Sequence, residues 1–178
     1  NENNPSSNSV GFWEGLGNIF LPHREKRKIL FEKDTVYYNV TVEEDNEGLR
    51  HLVFNPNKGS QGIWNPSSPD FLCSNYSKHT AIIITMFEKS PENVLFLGLG
   101  AGIMPMFIRM HFAETHIDIV EIDKEIPEIA EKYFCFKRDE DINIKIMDAR
   151  DFINKCQEKY DAIFIDAYVS DRIPFQLC

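Results

Sequence analysis

The sequence predicts an α/β protein, with a parallel sheet of strand order 3-2-1-4 from residue 93 onward and a small antiparallel β unit before it. Three observations carry this prediction. After residue 93, short apolar runs alternate with helix-like stretches, a pattern that folds as a parallel sheet with right-handed crossovers. Before residue 93 that alternation is absent, and β-branched and aromatic residues cluster around polar turns. Finally, "NVLFLGLG" at 93–100 starts as a buried strand and breaks into glycines where a strand must turn sharply into a helix.

The elements follow in chain order. Residues 1–28 read as a flexible tail: "NENNPSSNSV" has almost nothing to bury, and the basic "HREKRK" at 23–28 is a solvated face. Residues 29–74 form a small β-hairpin domain. Its β-branched and aromatic stretch 35–42 is followed by a polar turn at 44–48 and a second apolar stretch at 51–54. The Pro/Gly/Asn-rich residues 55–70 read as a connector. Residues 75–178 form the sheet domain. It opens with a helix over 75–88, expected to bury Ile82, Ile83, Met86 and Phe87. Beyond strand 93–100 comes a helix over 103–113, with Pro105 tolerated in its first turn. "HIDIVEID" is the second strand, "EIPEIAEKYF" the second helix, "INIKIMDA" the third strand, "RDFINKCQEK" the third helix and "YDAIFIDA" the fourth strand.

The totals exclude several functions. At 178 residues and 43% hydrophobic content the chain can build one core domain with a modest appendage. No apolar run approaches a membrane span. A net charge of −9 argues against sequence-independent nucleic-acid binding and is compatible with a cationic substrate. Cys73, Cys135, Cys156 and Cys178 show no CxxC spacing, so the expectation is no metal site and reduced thiols in the cytoplasm.

The glycine turn narrows the ligand. Gly98, Gly100 and Gly102 do not complete a GxGxxG fingerprint, which needs glycine where Ile103 stands, and a Walker loop would need a Lys-Ser/Thr pair. GxGxG at a strand-to-helix turn fits folds that bind S-adenosylmethionine (SAM). Glu121 ends the second strand, at about the 20-residue spacing of a carboxylate that accepts ribose hydroxyls. Asp148 ends the third, where it could accept from an adenine amino group. It could instead cap the following helix, although Asp151 is the expected cap. Asp166 ends the fourth strand. Carboxylates at three strand ends open onto one crevice, which points to a nucleoside-type ligand.

"LGLGAGIMPMFIRMHFAETHIDIVEIDKEIPEIAEKYFCF", "DARDFI" and "YDAIFIDAYVSDRIPFQL" together resemble the spermidine synthase-like branch of the SAM-dependent transferase superfamily. The stretch is also similar to methyltransferase-like proteins that methylate lysines of a translation elongation factor. The resemblance implies a Rossmann-like SAM-dependent transferase fold. It places Gly98, Gly100, Ala101 and Gly102, with Glu121 and Asp123 of "VEID" and Asp148 and Ala149 of "DAR", around SAM or decarboxylated SAM. It implies that Asp166 is the catalytic carboxylate, and that Tyr76 and Asp171 face the acceptor.

The departures from the family pattern matter equally. Aminopropyltransferases carry an aspartate in the glycine loop that binds the amine of decarboxylated SAM; here that position is Ala101, which tilts the site toward SAM itself. Their Tyr-x-Glu before the sheet is Tyr76-Ser77-Lys78, which disfavours a dicationic acceptor. The chain ends at Cys178, soon after Asp166, whereas a complete transferase adds further strands. The expectation is therefore a truncated domain whose fourth-strand edge is completed by more chain, covered by a dimer or another partner, or left bare in a degenerate product. The leading function is methyl transfer from SAM to a small-molecule or protein amine. Aminopropyl transfer to a polyamine and an inactive binding module are the alternatives.

Overall fold

A computed structural model of the chain describes residues 27–55 and 59–166. Of the residues 1–28 read as a tail, 1–26 lie outside the described residues, as does Asp171, and Lys28 already opens a strand. Four strands form an antiparallel sheet in sequential order: β1 (Lys28–Asp34), β2 (Asn39–Glu44), β3 (Arg50–Phe54) and β4 (Ser60–Trp64). A second sheet is parallel throughout, with order β7-β6-β5-β8. Its strands are β5 (Asn93–Leu97), β6 (His116–Glu121), β7 (Ile142–Ile146) and β8 (Ala162–Ile165). That order is the expected 3-2-1-4. Helix α1 (Asn75–Thr85) precedes the parallel sheet; α2 (Ile103–His111), α3 (Glu125–Phe134) and α4 (Ala149–Lys155) are its crossovers. None of the described helices is long and apolar enough to cross a membrane.

Alternation along β5 divides the core. Val94 and Phe96 point into a large apolar cluster with Met104 and Ile108 of α2 and Ile126 and Ile129 of α3. Leu95 and Leu97 point the other way, toward Phe152 of α4. Val40, Val42, Leu52 and Trp64 of the antiparallel sheet join the larger cluster, so the two sheets share one core. Polar contacts fasten the same seam. Arg50 Nη1 donates to the Tyr133 carbonyl at 2.8 Å, and Lys33 pairs with Glu125 at 2.6 Å.

Three local expectations are corrected. The strand read over 35–42 is split, because Thr35 Oγ1 accepts the Tyr37 and Tyr38 N–H groups and closes a turn between β1 and β2. The stretch read as a connector contains β4, which pairs with β3 through a bulge: Leu52 faces Gly62 and Val53 faces Ser60, leaving Gln61 as the extra residue. Helix α1 buries Ser77, Thr80, Ala81 and Ile84, while Ile82, Ile83, Met86 and Phe87 are exposed. Ser74 caps the helix by accepting the Ser77 N–H, and its face of small residues is the one that meets the protein. At the far side of the parallel sheet β8 pairs only with β5 among the described residues, and Ile163 and Ile165 are exposed.

The two sheets also meet at a glycine. A Cβ built on Gly62 would lie 2.6 Å from Ala101 Cβ and 3.6 Å from Ile103 Cδ1. Gly62→Ala should therefore cost about 1–3 kcal/mol, the range for overpacking. Adding Ala101→Gly should recover part of it, measured by denaturant unfolding of both variants. Full stability of the single variant would show that β4 and the glycine turn do not approach this closely.

Candidate functional site

The sheet order determines where a site can form. The chain moves outward from β5 to β6 and β7, then returns to β8 on the opposite flank. The crossovers therefore part above the C-terminal ends of β5 and β8, the crevice in which open α/β sheets hold ligands. Gly98 and Asp166 directly follow those ends. Gly98 N–H donates to the Val120 carbonyl at 2.8 Å, and Asp166 N–H donates to the Leu97 carbonyl at 2.9 Å. Glu121 closes the row at the end of β6.

Gly98, Gly100 and Gly102 have φ of 105°, 55° and 72°, a region that favours glycine. They are not equivalent. At Gly102 a Cβ would stand 2.7 Å from the Phe136 ring, so packing alone accounts for it. At Gly100 a Cβ would meet nothing within 4 Å, leaving a backbone cradle open to a ligand. Ala101 between them is 4% exposed and packs against Gly62.

The carboxylates fall on both sides of this turn. Glu121 is 7% exposed; its Oε2 accepts the Leu99 N–H and its Oε1 the Asp123 N–H, both at 3.0 Å. The carboxylate keeps acceptor capacity for a ligand hydroxyl. Burial pushes the Glu121 carboxyl up, against the N–H bonds that favour its charged form. Asp123 Oδ1 accepts the Glu125 N–H at the start of α3, while Oδ2 is buried without a hydrogen-bond partner. Asp148, and not Asp151, caps α4: its Oδ1 accepts the Arg150 and Asp151 N–H groups at 2.8 and 3.2 Å. Extended backbone at Asp148 lets its side chain reach forward to those donors, and Asp151 already lies inside the helix. Ala149 is the first residue of α4.

A cavity of about 220 Å³ lies between the glycine turn, β4 and α1. Gly98, Gly100, Ala101, Tyr76 and Asp166 line it; Glu121, Asp123, Asp148 and Ala149 do not, because they lie on the β6 and β7 side of the turn. The lining also includes Ser60, Gln61 and Gly62 of β4 and Ser77 and Thr80 of α1, which sequence reasoning missed. A stretch dense in Asn, Pro, Gly and Ser carries little strand signal, so nothing marked β4 as a wall. Asp166 is the one charged side chain among the described lining residues.

The Asp166 residue is exposed, yet its carboxyl is pushed up to about 6, first by desolvation and second by the charge of Glu121. A raised carboxyl favours the protonated form. Its contribution to stability is complete below the ordinary value of 3.8 and is lost as pH rises through about 6. Carboxyl ¹³C NMR should give Asp166 a midpoint near pH 6. Glu121→Gln should lower that midpoint by removing the like charge. An unmoved midpoint would show that the two carboxylates do not interact across the turn.

The comparisons with known proteins bear on the family and the fold. The spermine/spermidine synthase domain matches residues 74–174. The chain is 31% identical over 155 residues to a polyamine aminopropyltransferase of Vibrio vulnificus, covering 84% of this chain and 51% of that one. It is 33% identical over 87 residues to an eEF1A lysine and N-terminal methyltransferase of Mus musculus, covering 47% of this chain and 12% of that one. A probable spermidine synthase from Corynebacterium glutamicum shares the fold at a TM-score of 0.70 and 19% identity, over 83% of this chain and 55% of that one. A spermidine synthase in complex with the transition-state analogue AdoDATO does so at 0.62 and 17%, over 79% and 47%. The chain thus spans about half the length of the Vibrio relative. With more than half of its residues matched by the domain, the chain belongs to the spermine/spermidine synthase family.

Proposed function

We propose that the chain is the nucleoside-binding part of a transferase that uses S-adenosylmethionine and moves its methyl group to an amine. The observation that carries this reading is Ala101. A small neutral side chain, 4% exposed and pressed against Gly62, stands where an aminopropyltransferase would present an aspartate to an amine. Nothing anionic at that position repels the carboxylate of SAM.

The residues present suit such a cofactor. Gly100 leaves open backbone, the buried Asp123 Oδ2 has no hydrogen-bond partner, and the Glu121 carboxylate keeps acceptor capacity. In this reading Glu121 accepts ribose hydroxyls. Asp148 Oδ2, which takes neither cap bond, and the Ala149 N–H in the first turn of α4 meet the adenine. SAM, when bound, supplies a methyl group made electrophilic by a sulfonium. The chain's own task is to hold an amine in line and remove its proton. An alkylammonium has a pKa near 10.4, so it needs an acceptor beside it. Asp166 on the cavity wall is that acceptor, ionised above about pH 6. The apolar walls at Phe96, Ile103 and Phe164 keep water from the line of transfer, and Tyr76 borders the amine's entry.

Aminopropyl transfer is the second reading, favoured by the Vibrio aminopropyltransferase that aligns over 84% of this chain. Calorimetry separates the two. SAM should bind more tightly than decarboxylated SAM, and Glu121→Ala should weaken both by about 1.5–3 kcal/mol, the range for hydrogen bonds to charged groups. Tighter binding of decarboxylated SAM would reverse the assignment in favour of aminopropyl transfer.

A further inference from the structure

Cofactor choice needs more than a missing repulsion at position 101. The tail carboxylate of SAM would lie near a cavity whose one charged lining residue among those described, Asp166, is itself acidic. A donor must therefore meet it. Several polar side chains around the cavity are already committed. Ser74 and Ser77 bond each other at 2.6 Å, Thr80 Oγ1 donates to the Tyr76 carbonyl at 2.9 Å, and Ser60 Oγ is shared between Arg27 and His51.

Gln61 is different. It is the unpaired residue of the β3–β4 bulge, a device that re-aims a side chain out of strand alternation. It lines the cavity, and the next residue, Gly62, is the one packed against Ala101. The Gln61 side chain is exposed, and its amide nitrogen makes one long bond, 3.4 Å, to the carbonyl of Gly59 two residues away. That bond is easily exchanged, and the second amide proton can point elsewhere.

We propose that Gln61 is a specificity-determining residue whose side-chain amide donates to the carboxylate of the cofactor's amino-acid tail. It would thereby favour SAM over its decarboxylated form. Ala101 admits the carboxylate and Gln61 holds it; the bulge brings the two together. The proposal rests on the methyl-transfer reading, and the test keeps the two apart. Binding isotherms for SAM and decarboxylated SAM are measured on the full chain, on Gln61→Ala and on Gln61→Glu. Gln61→Ala should weaken SAM by about tenfold, the loss of one hydrogen bond to a charged group, and leave decarboxylated SAM nearly unchanged. Gln61→Glu sets a carboxylate against a carboxylate and should lower the SAM preference further. In ¹H–¹⁵N spectra of the wild-type chain, the Gln61 amide signals should shift with SAM and stay in place with decarboxylated SAM. Wild-type preference for SAM with an unchanged affinity ratio in both variants would overturn the role of Gln61 alone. Wild-type preference for decarboxylated SAM, or binding of neither, would overturn the underlying reading and the proposal with it.

Discussion

The site depends on one buried carboxylate. Glu121 accepts an N–H from Leu99, in the middle of the glycine turn, and another from Asp123, at the entry to α3. Without it both donors would face the interior unpaired, at a cost of about 1–3 kcal/mol each. Its position at the end of β6 thus anchors the turn after β5, and the turn in turn fixes where backbone is open at Gly100. Its charge also helps raise the Asp166 carboxyl on the far side of β5. Glu121 thus acts on both the turn geometry and the proton affinity of Asp166, the latter second to desolvation.

The antiparallel sheet supplies the opposite wall. Gly62 lets β4 approach Ala101 closely, and a buried polar chain holds the start of that strand. His51, 3% exposed, links Asp45 Oδ2 at 2.8 Å to Ser60 Oγ at 2.9 Å through its two ring nitrogens. Burial alone would raise the Asp45 carboxyl, but the His51 bond and the Leu49 and Glu47 N–H groups hold it below its ordinary value. The β unit is therefore part of the site, with its polar chain behind the cavity and its bulge at the rim.

Much of this was legible in the sequence, and the exceptions have physical reasons. Helix α3 occupies the "EIPEIAEKYF" stretch residue for residue, because its apolar positions repeat at helical spacing between two unambiguous strands. The strand ends carrying Glu121 and Asp166 were equally clear, since apolar runs stop at acids. Strand β4 was hidden because a bulge, a glycine and a glutamine erase the alternation by which strands are recognised. The orientation of α1 is not legible in its sequence, because bulky aliphatic residues outweigh Ser77 and Thr80, whose small size suits the face beside the cavity. Asp148 shows a limit of another kind. Capping takes one oxygen of this carboxylate, and the proposed adenine contact would use the other.

A crystal structure of the chain with S-adenosylhomocysteine bound tests the central claim most directly. The expected result is a nucleoside lying over Gly98–Gly102 with its ribose hydroxyls on Glu121, and an amino-acid tail entering the cavity bounded by the glycine turn, β4 and α1. A nucleoside bound elsewhere, or one whose ribose leaves Glu121 untouched, would contradict it.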